Sequence, residues 1–383
     1  MMHSRLSLLA LVATGACFST HLYAEIDISG YGSIVAGRTL GTVEDPLNPG
    51  QERDEILTAD FYDVGQYDND FSFKPESVFG LQFRADLGES LAVTAQLVAK
   101  GTDDFEPEFD WFYLTYQATD DLTLMAGRRN IPMYYFSEFS EIGYAYPWVR
   151  PPSNLYWWQV TQFDGFHAMY SFQTGDYSNV ITVFYGNETS NDNKELKYYN
   201  RLYGGNAQAV NEFWKNIIGF NWNFSGDFFD LRFVYFENDR ERTTINADGS
   251  ATDSDPFTQK FIGLGGTADL AQFTILFDMN LVEYTDAVGT EYPTYLVSVV
   301  YNIDEFHPYI SYSKADHERT KGLARTENLE EHYMLSYGIR YDFHSNAALK
   351  VQYDKFVDQG DKATGWAYHG DSETITIGVD FTF

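Results

Sequence analysis

Two carboxylates, Glu138 and Glu141, stand three residues apart in PMYYFSEFSEIGYAYPWVRPPSNLYWW (132–158), a stretch with ten aromatic rings and four prolines. A helical turn there would put both acids on one side. Elsewhere Arg84, Lys100, Arg129, Arg232, Arg340 and Lys350 fall on the polar register of alternating segments. Acids facing bases across a narrow aqueous gap orient dipolar solutes, and rings of charge set ion selectivity. The expected constriction is Glu138 and Glu141 against Arg84 and Arg129, with Lys100, Arg232, Arg340 and Lys350 as further cations facing the same water. The same charges can equally serve as ion pairs that hold the aromatic stretch in place.

Bond-making chemistry has less to stand on. Neither a GxSxG elbow nor an HExxH motif occurs. His167, His307, His317, His332, His344 and His369 are read mostly as surface residues of turns and loops. Asp248, Asp253 and Asp255 are spaced in NADGSATDSD but depart from the helix-flanked calcium loop, so they read as a solvated charge run. No metal, cofactor or catalytic residue is expected.

The first 24 residues, MMHSRLSLLALVATGACFSTHLYA, read as a secretory signal peptide cleaved after Ala24. Cys17 is the chain's single cysteine, so the mature chain, from residue 25, holds neither disulfides nor thiolate metal sites. Without Arg5 there remain 24 basic against 56 acidic side chains, which argues against nucleic acid as a partner. No later run of about 18 apolar residues is available to cross a membrane as a helix. Yet aromatics make up 17% of the chain, too many for an acidic disordered protein.

The elements that must position these charges are strands. Tyr333, Leu335, Tyr337, Ile339, Tyr341 and Phe343 alternate with Met334, Ser336, Gly338, Arg340 and Asp342. Such period-two patterning recurs along the chain and predicts sixteen strands, each with an oily and a wet face. The predicted strands cover 25–40, 76–87, 90–100, 109–119, 122–130, 160–173, 177–187, 213–224, 228–237, 260–269, 272–283, 293–303, 306–314, 331–343, 347–357 and 373–383. Tight connections alternate with long polar ones, the pattern of a membrane barrel. Strands of ten or more residues suit a tilted bilayer crossing better than a soluble sandwich. Trp214, Phe220, Trp222 and Phe224 are expected on the oily face as part of an interfacial girdle, as are Phe229, Phe233 and Tyr235. Arg38 and Arg128 also fall on the oily register, so they sit beyond the membrane band or mark a register slip.

Three stretches resemble the sixteen-stranded porins of Gram-negative bacteria. TITIGVDFTF, with Gly378, Phe381 and Phe383, looks like the C-terminal signal read by the barrel-assembly machinery; EIDISGYGSIVAGR looks like the Gly-rich first strand. LTLMAGRRN and the aromatic stretch after it occupy the places of the fifth strand and third loop, although the PEFGG sequence of enteric general porins is missing. The resemblance implies an all-β fold: a transmembrane antiparallel barrel of sixteen strands over 25–383, with loop 3 (about 131–158) folded inward. It implies a passive diffusion channel of the bacterial outer membrane, without a chemical step; the strongly acidic chain with acids in the loop predicts a preference for cations or neutral solutes. The implied partners are outer-membrane lipid, lipopolysaccharide, small hydrophilic solutes and two further copies in a homotrimer. The alternatives are a channel selective for sugars or aromatic compounds and an outer-membrane barrel hydrolase.

Overall fold

A computed structural model describes residues 26–383 except 46–47, 61–64, 157, 159, 197–199, 201–204, 286–288, 320–329 and 361–369. The expected signal peptide and His369 lie outside the described residues. Sixteen long strands form one antiparallel sheet: β1 (Ile26–Thr39), β2 (Val78–Asp86), β3 (Leu91–Lys100), β4 (Pro107–Gln117), β5 (Leu122–Asn130), β6 (Gln162–Thr174), β7 (Tyr177–Ser190) and β8 (Ala209–Gly226) in the first half. The second half comprises β9 (Phe229–Ile245), β10 (Phe257–Leu270), β11 (Phe273–Tyr284), β12 (Thr290–Tyr301), β13 (Phe306–Asp316), β14 (Glu331–His344), β15 (Ala347–Asp358) and β16 (Ser372–Thr382). Each strand pairs with its sequence neighbours, and β1 pairs with β16 from Tyr31↔Thr382 to Thr39↔Thr374, which closes the sheet. Closure satisfies the backbone groups that an open edge would leave unpaired in lipid.

The seam is built from glycines and phenylalanines. A β-carbon on Gly32 would lie 2.5 Å from the Phe381 ring, and one on Gly30 would lie 2.4 Å from the Phe383 ring. The Gly-rich first strand thus gives the last two rings room to lie across it. Phe383 completes the closure through backbone hydrogen bonds to Gly30.

Alternation sorts the side chains as a bilayer requires. Phe166, Ile218, Ile262, Val297, Ile339 and Ile377 are exposed on the outer face, whereas Asn221, Ser298, Ser336, Gln352, Thr374 and Asp380 are buried on the inner one. At the short-turn end the outer face carries paired rings, Phe273 with Tyr301 at 5.0 Å and Phe306 with Tyr341 at 4.6 Å. A continuous apolar belt with an aromatic edge is stable only against lipid, so the barrel is a membrane barrel of the outer-membrane type.

The wall is uneven in height. Strands β2 to β5 have 9 to 11 residues, about what a tilted bilayer crossing needs, whereas β8 and β9 have 18 and 17. Their extra length lies at the long-loop end, where Lys215 pairs with Glu241 and Asn216 donates to Asp239.

Irregularities account for the residues that depart from the predicted register. Trp214, expected on the oily face, is fully buried: the β7–β8 pairing slips between Gly186 and Glu188, the β8–β9 pairing slips between Lys215 and Ile218, and Asn216 has a φ of 54°. Gly127 takes a φ of 134° just before Arg128, which stays in register opposite Phe112 and binds Glu188 bidentately at 2.8 and 2.9 Å at the long-loop end. Arg38 stays exposed at the long-loop end of β1. The histidines are less peripheral than expected, because His167 and His332 are buried within β6 and β14.

Candidate functional site

The connection between β5 and β6 (131–161) is the most apolar part of the site. Its prolines prevent a strand, and only short 3-10 turns form, at Ser137–Phe139 and Gly143–Ala145. Tyr134, Phe136, Tyr146, Trp148, Tyr156 and Trp158 are all buried in one cluster that also takes in Phe184, Phe236 and Phe261 of the wall. Phe136 sits edge-on to Trp148 at 5.4 Å, and Tyr134 meets Phe261 edge-on at 5.8 Å. Burying one phenylalanine contributes roughly 1.5–3 kcal/mol. A partly exposed ion pair contributes only about 0–1 kcal/mol. The rings therefore hold the segment more strongly than such pairs do.

Polar contacts fix where the segment lies on the wall. The Tyr135 N–H and the Tyr156 hydroxyl both donate to Asp278 Oδ2 on β11, at 3.0 and 2.7 Å, and the Tyr135 hydroxyl donates to Asp230 on β9 at 2.8 Å. Trp148 Nε1 donates to Ser311 on β13 at 2.7 Å, and the Val149 N–H donates to Gln352 on β15 at 2.7 Å. Burial and then the Asp278 carboxylate push the Tyr156 phenol well above its ordinary pKa. The Tyr144 hydroxyl reaches the Ser345 carbonyl, in the short turn after β14, at 2.9 Å.

The two acids diverge instead of sharing a side, because the 3-10 turn carrying Glu138 ends at Phe139. Glu138 meets Arg129 Nη2 at 3.1 Å and also binds Arg232. Burial works to raise its carboxyl, but Arg232 and Arg129 outweigh that and hold it below the ordinary carboxylate range. Glu141 instead binds Lys100 Nζ at 2.7 Å. Arg340 donates to the carbonyls of Tyr144 and Tyr146 at 2.7 and 3.1 Å, with its guanidinium 4.5 Å from the Tyr144 ring centre. Lys350 is fully buried and donates to the carbonyls of Gly143 and Trp148 at 2.6 and 2.7 Å, beside Asp380 at 2.7 Å.

Five of the six cations read from the sequence thus touch this one segment. The sixth, Arg84, pairs with Asp86 at 3.1 Å near the short turn after β2 and is about half exposed.

No protein-family model matches the chain, and no curated protein matches it in sequence. Solved structures do match in shape. The outer membrane channel DcaP of Acinetobacter baumannii superposes with a TM-score of 0.58 at 11% identity, covering 96% of this chain and 100% of that one. The anion-selective porin from Comamonas acidovorans gives 0.54 at 13% identity, over 94% and 100%. OmpT of Vibrio cholerae in its trimer form gives 0.54 at 12% identity, over 94% and 99%. The fold is that of a sixteen-stranded outer-membrane porin.

Within this porin fold one buried ion cluster is a fastening that sequence reasoning left without a role. Arg150, buried, donates to Glu76 Oε1 at 2.7 Å and to Asp354 on β15. Tyr67 in the first long connection donates to the other Glu76 oxygen at 2.7 Å, so two connections and the wall share one ion cluster. Burial disfavours the Arg150 charge, yet Asp354 and Glu76 together raise its pKa above the usual arginine value. A lone arginine in a proline-rich, otherwise apolar run was the available signal, since a buried guanidinium requires carboxylates.

Proposed function

We propose that this chain is a passive diffusion channel for small hydrophilic solutes and ions across the bacterial outer membrane, with the 131–161 segment folded inward as its constriction. The observation that carries this reading is the set of partners the segment holds far from β5: Asp278, Ser311, Arg340, Lys350 and Asp354, spread over four strands, β11 and β13 to β15. A segment anchored at those places crosses the water column. Glu138, Glu141 and Arg129 belong to this constriction; Arg84, paired near the short-turn end, does not.

The strongly acidic composition favours cations and neutral solutes over anions. Trp148 and Trp158 are buried, which removes the main support for a slide that passes sugars or aromatic compounds. Transport on this reading involves no bond-breaking step. Assembly as a homotrimer draws on the trimer form of OmpT, and Gly378, Phe381 and Phe383 are offered as the signal for the assembly machinery. The outer apolar belt would meet lipid and lipopolysaccharide.

The test is reconstitution of the folded protein in a planar bilayer under a salt gradient. Discrete conductance steps with a reversal potential on the cation side are expected. A correctly folded barrel that gives no steps would overturn the reading.

A further inference from the structure

The 131–161 segment has a fixed part and a looser one. Residues 148–152, 154–156, 158 and 160 are buried, and they include Arg150 with its two carboxylates and the rings of Trp148 and Trp158. Residues 139–142 and 144 are only half-buried, and Ala145 is exposed. This looser stretch is one body: the Tyr146 hydroxyl donates to the Ser140 carbonyl at 2.8 Å, and the N–H groups of Ile142 and Ala145 donate to the carbonyls of Phe139 and Ile142. It is bounded on one side by Glu138, gripped by Arg129 and Arg232, and on the other by Trp148, tied to Ser311.

Between those ends residues 139–146 reach β3, β14, β15 and β1. Glu141 meets Lys100, Arg340 and Lys350 donate to the carbonyls of Tyr144, Tyr146 and Gly143, and the Tyr144 hydroxyl donates to the Ser345 carbonyl. A β-carbon on Gly143 would lie 2.7 Å from Ser33 Oγ on β1. The space beside this stretch is small: about 30 Å³ where Ser140 and Glu141 face Asp110 and Gln162, and about 90 Å³ where Ser140, Glu141 and Tyr146 face Ser33 and Val78. The smaller space holds one or two waters, so no hydrated solute passes through it.

Resting on the channel reading, we propose that residues 139–146 are a flap held shut in this structure, which swings about Glu138 and Trp148 to let solutes pass while 148–160 stays in place as its seat. A constriction of fixed width has no need of this division. The holds on the flap suit release. They are hydrogen bonds to carbonyls and a part-exposed ion pair, each of small net worth once water takes its place. The seat is fastened instead by a buried ion cluster, whose charges have no water to turn to. Because the flap carries its own hydrogen bonds, it moves without unfolding, and only its two ends change conformation. Phe136, edge-on to Trp148 at 5.4 Å, stays behind with the seat.

The test is a reversible lock. Ser33→Cys with Gly143→Cys places two thiols within reach of a disulfide, and Cys17 is the only native cysteine to compete. In single-channel recordings of the folded barrel the wild type should step between a long closed level and brief openings. Oxidising the double variant should cut its open fraction at least about tenfold, and a reductant should restore it; Ser33→Cys alone and Gly143→Cys alone should not respond to either reagent. As a second measure, Tyr144→Phe keeps the ring against Arg340 but removes the bond to Ser345, and should raise the open fraction about two- to tenfold, the equivalent of one net hydrogen bond. Lys355→Gln, on the outer wall, should open as the wild type does. A wild type that stays open without closing, or a cross-linked double variant that conducts as its reduced form does, would overturn the flap and leave the channel standing. A wild type without any conductance step would overturn both.

Discussion

Arg150 and Asp354 are 204 positions apart in the chain and in direct contact in the fold, and Glu76 closes the group from a third part of the sequence. All three side chains are almost fully buried. Such a cluster is worth most as a fastener: breaking it leaves buried carboxylates with neither water nor an opposite charge beside them.

Arg150→Met should therefore destabilise the folded barrel by about 3–5 kcal/mol, the usual consequence of removing one partner from a buried pair. Adding Glu76→Gln and Asp354→Asn should recover most of the loss, because no uncompensated charge then remains. The readout is the temperature at which the compact electrophoretic species disappears. Arg150→Met melting with the wild type would mean that the cluster holds nothing.

Acid should loosen the Glu138 anchor. Its carboxyl titrates lower in the folded state than the ordinary value of 4.5, so its contribution is fully present above that value and is lost as pH falls through the depressed folded pKa. Tryptophan fluorescence from Trp148 and Trp158 should be flat from pH 7 to 5 and change only below about 4. Glu138→Gln should remove this transition. A transition of the same size in that variant would assign it to another acid.

At the seam, Gly32→Val places atoms where the Phe381 ring lies and should cost about 1–3 kcal/mol through overpacking. Phe381→Ala alone removes ring packing against β1, but combined with Gly32→Val it also removes the clash. The double variant should be more stable than the sum of the single losses implies. Denaturant titration of the four proteins checks this, and strict additivity would show that the two residues do not meet.

Most of the wall was readable because a bilayer enforces a strict period of two. The predicted strand 122–130 coincides with β5, and 347–357 misses β15 by one residue. Agreement fails where lipid stops enforcing the pattern: 228–237 was predicted and β9 continues to Ile245 through ENDRERTTI, charged on both faces above the membrane. The Trp214 assignment failed because two pairing slips and a left-handed Asn216 leave no trace in hydropathy. In the site, Arg129, Arg232, Lys100, Arg340 and Lys350 were legible as wet-face cations. Their partners were not, since contacts such as Lys350 with Gly143 depend on the path of an irregular segment, which has no period to read. Arg129–Glu138 and Lys100–Glu141 are such contacts too, made through a loop whose path the sequence does not reveal.

The cluster that joins Tyr134 and Phe136 to Phe236 and Phe261 ties the fate of one connection to that of the strands beneath it. A shortened connection would leave greasy patches on a surface built to be wetted, and a wall rewritten in polar residues would leave the rings without a bed. Homologues that swap this connection are thus expected to carry matching changes at positions 184, 236 and 261, so the connection and its backing are inherited together.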